Sequence, residues 1–285
     1  MKNFKLLALI LAGFMIFIYA CETNDGTAKF NLHLTDAPGD YKEVWIDIQS
    51  IEVHFETDGE GEWMTLDELD LSDAPYDLLK LTNGVYELLA STDLPAGTIS
   101  QIRLILGDDN SVVVEIGETK DGEEPETEEF DLKTPSAQTS GLKLNVHAQL
   151  EAGVTYNMWI DFDADKSIVN AGSGKYNLKP VIRTYTEATS GAIKGTVVTP
   201  ILDSNPIEYE PIEGVTVSIS FLEDGETENT VITTNTNEDG FFMLSGIPEG
   251  SYTVKFKQGD DVILEKTEVA VLLGNVTDLE TILIE

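Results

Sequence analysis

Hydrophobic and polar residues alternate with period two along most of this chain. Phe30, Leu32 and Leu34 share one side of an extended segment, while Lys29, Asn31 and His33 share the other. Val44, Ile46 and Ile48 alternate in the same way, and the phase then flips to Ile51, Val53 and Phe55. That flip predicts a bulge or a change of sheet across Gln49–Ser50. Further runs follow at Ile102, Leu104 and Leu106, at Val112, Val114 and Ile116, from Leu142 to Leu150, and at Met158, Ile160 and Phe162. Turn signals separate them, among them Asp36-Ala37-Pro38-Gly39, Gly107-Asp108-Asp109-Asn110 and Glu151-Ala152-Gly153. No long stretch keeps a 3.6-residue period, and Asp67 to Leu81 fits either one short helix or irregular turns. Many short strands, each with one apolar face, predict an all-β chain built as antiparallel sandwiches.

The pattern breaks at the start, where Lys2 and Lys5 precede an apolar run from Leu6 to Ala20. Fifteen helical residues rise about 22 Å, short of a roughly 30 Å hydrocarbon core, so the run fits a secretory signal peptide better than a span. It ends in Ile18-Tyr19-Ala20-Cys21, which resembles a bacterial lipobox, although Tyr19 is bulkier than the small residue usual there. The resemblance implies a signal peptide over 1–20, acylation of Cys21 and a polar tether over 21–27. It also implies an outer-membrane lipoprotein of the cell envelope, attached to the membrane through that lipid. The acids after Cys21 loosely resemble a surface-export signal. Cys21 is the single cysteine, so no disulfide framework exists.

Composition then narrows the partners. The 285 residues carry 17 Lys+Arg against 52 Asp+Glu, a formal charge of −35. So acidic a chain repels phosphate backbones, which excludes nucleic acid, and it disfavours bare anionic lipid surfaces. The densest acidic run, Glu118 to Asp131, cannot bury itself and is expected as an exposed loop.

The small polar stretch Thr186 to Gly191 precedes a fresh set of strands and predicts a boundary between domains over 28–186 and 191–285. After it come Gly191-Ala192-Ile193-Lys194-Gly195-Thr196-Val197 and Pro211-Ile212-Glu213-Gly214-Val215-Thr216-Val217. Thr236-Asn237-Glu238-Asp239-Gly240-Phe241-Phe242 and Ile247-Pro248-Glu249-Gly250-Ser251-Tyr252-Thr253-Val254 follow. This set resembles the carboxypeptidase regulatory-like domain, a transthyretin-like sandwich, which implies a spacer or docking module with no catalytic residue of its own. In the first domain, Leu34-Thr35-Asp36-Ala37-Pro38-Gly39-Asp40-Tyr41, Asp161-Phe162-Asp163-Ala164-Asp165-Lys166-Ser167 and Leu178-Lys179-Pro180-Val181 occur in order. They resemble a family of microbial lipoproteins known only as a domain of unknown function, over roughly Ala28 to Tyr185.

Candidate chemistry is sparse. Asp161, Asp163 and Asp165 alternate, and carboxylates so spaced suit a hard cation such as Ca²⁺, which wants six to eight oxygens. The same acids at a strand end equally suit solvation or pairing with Lys166, Lys143 or Arg103. As a helix-loop calcium site the run departs from pattern, with Lys166 in place of the turn glycine and Gly172 in place of the bidentate Glu. His33, His54 and His147 all fall on polar registers with no metal-ligand spacing, and are expected as lone surface histidines rather than a metal or catalytic trio. Trp45 and Trp159, also on polar registers, are candidate stacking platforms for a glycan; the alternative is partly buried strand tryptophans. No nucleophile elbow, phosphate loop or dinucleotide fingerprint is present.

The expectation is therefore a non-enzymatic, lipid-anchored envelope protein without a cofactor, save for the candidate calcium. It would act as a binding or structural module with a glycan or envelope-protein partner. A carbohydrate-binding surface lipoprotein and a fimbrial or adhesin component joined by strand addition are the alternatives. An uncharacterised hydrolase stands outside them.

Overall fold

The structure is a computed structural model that describes residues 26–57, 60–117, 125–135, 137, 140–202, 207–222 and 229–284. The expected signal peptide over 1–20, Cys21 and most of the expected tether lie outside the described residues.

The chain is all-β and forms tandem sandwich domains with two separate cores. In the first, Phe30, Leu32, Leu34, Val44, Ile46, Ile51, Ile102 and Phe162 are fully buried from three sheets. One four-stranded sheet has the order Ile182–Thr186, Thr155–Asp163, Thr27–Ala37, Glu87–Pro95. The second runs Leu142–Leu150, Gly97–Leu106, Ile48–Thr57, Glu60–Thr65. A six-stranded sheet holds Glu43–Ile46 between Ser111–Ile116 and the short strand Tyr76–Asp77.

The second core centres on Ile193, Val217, Phe242 and Phe256, whose two phenyl rings meet edge-on at 5.6 Å. Its sheets contain Glu208–Pro211, Gly191–Ile201, Phe241–Ile247 and Val276–Leu283, and Asn229–Asn235, Thr216–Leu222, Gly250–Gln258 and Asp261–Val271.

The sheets are mixed rather than purely antiparallel. Thr27–Ala37 pairs in parallel with Thr155–Asp163, Tyr176–Leu178 with Glu126–Lys133, and Gly191–Ile201 with Val276–Leu283. Each parallel pair is joined by a long crossover, which the intervening strands supply.

The phase flip marks a corner. The chain leaves the six-stranded sheet after Ile46 and enters the other at Ile48, with a register shift between Ile48 and Ser50. Asp47, buried at that corner, is held by Asn110: its N–H donates to Asn110 Oδ1 at 2.9 Å, and Asn110 Nδ2 donates to Gly107 O at 2.8 Å. Gly107 N returns a bond to Asp47 O at 2.8 Å.

Two expectations are corrected. The acidic run is not all loop, because Glu126–Lys133 is a strand on Ser111–Ile116. Half-buried Phe130 and buried Leu132 give it an inward side, while Glu126, Glu128 and Glu129 stay in water. Residues 118–124 lie outside the described ones. His33 sits on its polar register yet is only 7% exposed. From His33 to Asp36 the first strand is buried on both faces, because the chain around Leu81–Val85 and the second domain cover its outer side. Asp67 to Leu81 takes the irregular form, with a 3₁₀ turn only at Leu78–Lys80.

Candidate functional site

The features with the most chemistry gather at the seam between the domains. Thr82–Val85 is a tight turn closed by Val85 N donating to Thr82 O at 3.0 Å. Asn83 (φ 56°) and Gly84 (φ 82°) occupy its centre, and Asn-Gly is the pair that tolerates two successive positive φ values. Thr35 Oγ1 donates to the carbonyls of Leu81 and Val85 at 2.8 and 3.1 Å, tying this turn to the first strand. Its other side faces the second domain. Asn83 Nδ2 donates to Asn235 O at 2.9 Å, while Asn83 Oδ1 accepts from Thr234 Oγ1 at 2.7 Å and Met243 N at 3.1 Å.

Arg183 makes the second tie. It lies directly across from Asp161 in the strand pair, and its Nη2 donates to Asp161 Oδ2 at 2.5 Å. Nη2 also reaches Ser245 O at 3.1 Å, and Nη1 reaches Gly246 O at 2.9 Å. A guanidinium can serve one carboxylate and two carbonyls at once because its donors form a fixed fork. Gly246 (φ 68°) permits the approach, since a Cβ there would lie 2.5 Å from the Tyr185 ring.

Three aromatic side chains stack across adjacent strands. His33 and Trp159 are register partners with ring centroids 4.8 Å apart, and Trp159 and Tyr185 are partners at 5.6 Å with nearly parallel planes. Tyr86 meets His33 edge-on at 4.7 Å. Burial lowers the His33 pKa, against the pull of Asn157 and Glu187 toward the charged form. Burial raises the Tyr185 phenol well above its ordinary value, with the Asp161 charge adding to the rise.

A cavity of about 400 Å³ opens between the domains, bounded by Asp36, Asp161, Asp163, Lys166 and Arg183 on one side and Asn229–Thr234 on the other. A second of about 250 Å³ adjoins it and reaches Tyr86, Trp159 and Glu187. Asp36 Oδ1 accepts from Ala164 N at 3.0 Å, and its Oδ2 has no hydrogen-bond partner among the described residues. Burial holds this carboxyl well above the ordinary range; the Ala164 N–H opposes the rise, and the charges of Asp161 and Asp163 add to it.

The three candidate calcium ligands do not come together. Asp161 is committed to Arg183. Asp163 ends its strand and caps a one-turn helix, Ala164–Ser167, accepting from Lys166 N at 3.0 Å and pairing with Lys166 Nζ at 2.6 Å. That helix turns Asp165 out into solvent. Among the described residues no three His, Cys, Asp or Glu side chains gather as a metal-binding group.

Of the two candidate glycan platforms, Trp159 is covered and Trp45 is partly engaged. Trp159 lies between His33 and Tyr185 on the flanking strands, so both of its faces are covered. Trp45 Nε1 donates to Glu43 at 2.7 Å, and Lys80 Nζ stands 5.3 Å from its ring centroid. His54 bonds Ser100 at 2.7 Å, His147 is exposed, and neither meets His33.

Asn83 and Arg183 carry the seam and were not singled out by sequence. The Asn-Gly pair between polar Thr82 and apolar Val85 is a turn signal that marks its place. Arg183 offers only a lone cation on a short strand.

Residues 27–180, more than half of the chain, match the family described as Domain of unknown function (DUF4382). This agrees with the resemblance carried by the motifs between Leu34 and Val181. No curated protein matches. Among solved structures, a 9R-lipoxygenase from Cyanothece PCC8801 is 10% identical at a TM-score of 0.20; the match covers 42% of this chain and only 19% of the lipoxygenase. GBS52, the minor pilin of Streptococcus agalactiae, is 12% identical at 0.25, with 90% of this chain and 95% of the pilin covered. A fimbrial protein from Bacteroides ovatus is 9% identical at 0.24, with 92% and 50% covered. Likeness at these scores carries no argument about fold or activity.

Proposed function

The chain belongs to the DUF4382 family, and we propose that it is a lipid-anchored, non-enzymatic envelope protein whose two β-sandwiches act as one stiff body. Cys21 is the anchoring residue in this reading, and the leader over 1–20 is removed. The second domain, with its carboxypeptidase regulatory-like motifs, serves as a spacer or docking module that the first domain holds at a fixed angle. The observation that carries the reading is the pair of ties at the seam. Asn83 and Arg183 together make six hydrogen bonds, and five of them reach the second domain. A freely jointed tandem would leave those groups to water, since linked domains move relative to each other unless their interface is specific. The seam's charged groups support a structural role too, because Asp161 and Asp163 are spent on Arg183 and Lys166 rather than held ready for a substrate.

Membrane fractionation of cells expressing the full chain tests the anchor. Wild type is expected in the outer-membrane fraction with palmitate label, and Cys21→Ser is expected in the soluble fraction without it. Label that persists in Cys21→Ser, or wild type wholly in the cytosol, overturns the anchored reading. Small-angle scattering of the soluble variant tests the stiff body, and a broad distribution of interdomain distances would contradict it.

A further inference from the structure

Asn83-Gly84 is the single Asn-Gly pair among the 285 residues, and it stands where both atoms of one side-chain amide hold the domains together. From this coincidence we infer that Asn83 is a deamidation site whose conversion irreversibly releases the interdomain joint. The inference depends on the docking geometry and is independent of the lipid anchor.

The chemistry follows from the residue pair. Gly84 has no Cβ, so its backbone nitrogen can approach the Asn83 side-chain carbonyl carbon with little steric resistance. A bond forms from Gly84 N to Asn83 Cγ, and the Cγ–Nδ2 bond breaks. Nδ2 leaves as ammonia, carrying the proton from Gly84 N. Water then opens the cyclic imide. Opening at Cγ gives aspartate, and opening at the main-chain carbonyl gives isoaspartate, with an extra methylene in the backbone.

In the docked state this reaction is held back. Nδ2 is engaged by Asn235 O, and Oδ1 by Thr234 Oγ1 and Met243 N. Swinging Cγ toward Gly84 N requires breaking these bonds together. The turn also packs tightly, since a Cβ at Gly84 would lie 2.7 Å from Met243 Sδ. When the domains part, all three bonds are lost and the amide is free to cyclise.

After conversion the joint cannot close as before. Aspartate has no N–H to give Asn235 O and would place a charged oxygen against that carbonyl, leaving two acceptors face to face. Isoaspartate additionally shifts the turn that Thr35 fixes. Each opening therefore carries a chance of becoming permanent, so the fraction of released joints records how long and how often a given molecule has opened.

The test follows Asn83 by peptide mapping during incubation of the full chain at mildly alkaline pH. A free peptide spanning residues 79–87 and the Thr234→Val variant, which loosens the same amide, serve as comparators. The peptide is expected to convert fastest, Thr234→Val more slowly and wild type several-fold more slowly than either. Scattering from Asn83→Asp is expected to show a broader distribution of interdomain distances, because only the Arg183 tie is left, with both cores still folded by circular dichroism. Wild type converting at the peptide's rate, equal rates for wild type and Thr234→Val, or wild-type scattering from Asn83→Asp would each overturn the inference.

Discussion

Arg183 stands directly across the strand pair from Asp161, and the same Nη2 that meets the Asp161 carboxylate also donates to Ser245 of the second domain. One ion pair inside the first sandwich thus fixes the geometry of the fork that grips the second. Arg183→Ala removes both roles and leaves a half-buried carboxylate uncompensated. We expect a loss of roughly 2 kcal/mol, below the ~3–5 of a fully buried broken pair because Arg183 keeps some solvent contact. Urea unfolding followed separately in each domain should show the two transitions move apart.

Asp36 gives a pH signature. Its carboxyl is raised well above the ordinary range by burial, so the folded state binds a proton that the unfolded state has released. Its contribution is most favourable below the unfolded carboxylate pKa and is lost progressively as pH rises toward the folded value. Asp36→Asn keeps an oxygen for Ala164 N and removes the titration. It should flatten stability against pH and add on the order of 1 kcal/mol at neutral pH. Thermal melts across that window check it, and a variant that tracks wild type at every pH would refute it.

The corner at Asp47 is expected to be unforgiving. Asn110→Ala removes the bond to Gly107 O and strands the buried Asp47 N–H, an orphaned donor that costs about 1–3 kcal/mol. The loss should appear as a lower urea midpoint for the first domain, with the second domain unchanged.

Trp159→Ala separates support from recognition. Removing the middle of the stack takes away contacts with His33 and Tyr185 and should destabilise the seam by about 3 kcal/mol. Affinity electrophoresis on neutral polysaccharides should give the same mobility for wild type and variant. A retardation seen only in wild type would restore Trp159 as a glycan platform.

Much of the architecture was legible from alternation alone. Phe30, Leu32 and Leu34 point inward as read, and the flip at Gln49–Ser50 coincides with the register shift between Ile48 and Ser50, just after the chain changes sheet at Asp47. The acidic run was misjudged because charge density hid the inward pair Phe130 and Leu132. His33 was misjudged for a different reason. Period two reports which face a residue occupies, but not whether another domain covers that face. The seam was invisible for the same reason: Asn83 and Arg183 act on partners 152 and 63 residues away, and those separations leave no local pattern. Asp161, Asp163 and Asp165 alternate in sequence, but the strand ends at Asp163 and the helical turn Ala164–Ser167 carries Asp165 away from the other two.

The closing strand Val276–Leu283 runs alongside and in the same direction as Gly191–Ile201, the strand that receives the chain from the first domain. Tension between Gly191 and Leu283 would therefore slide these two strands past each other lengthwise, straining all of their cross-links at once. A hairpin peeled from its open end would surrender them one after another. The second domain is thus wired to resist mechanical extension along its own length.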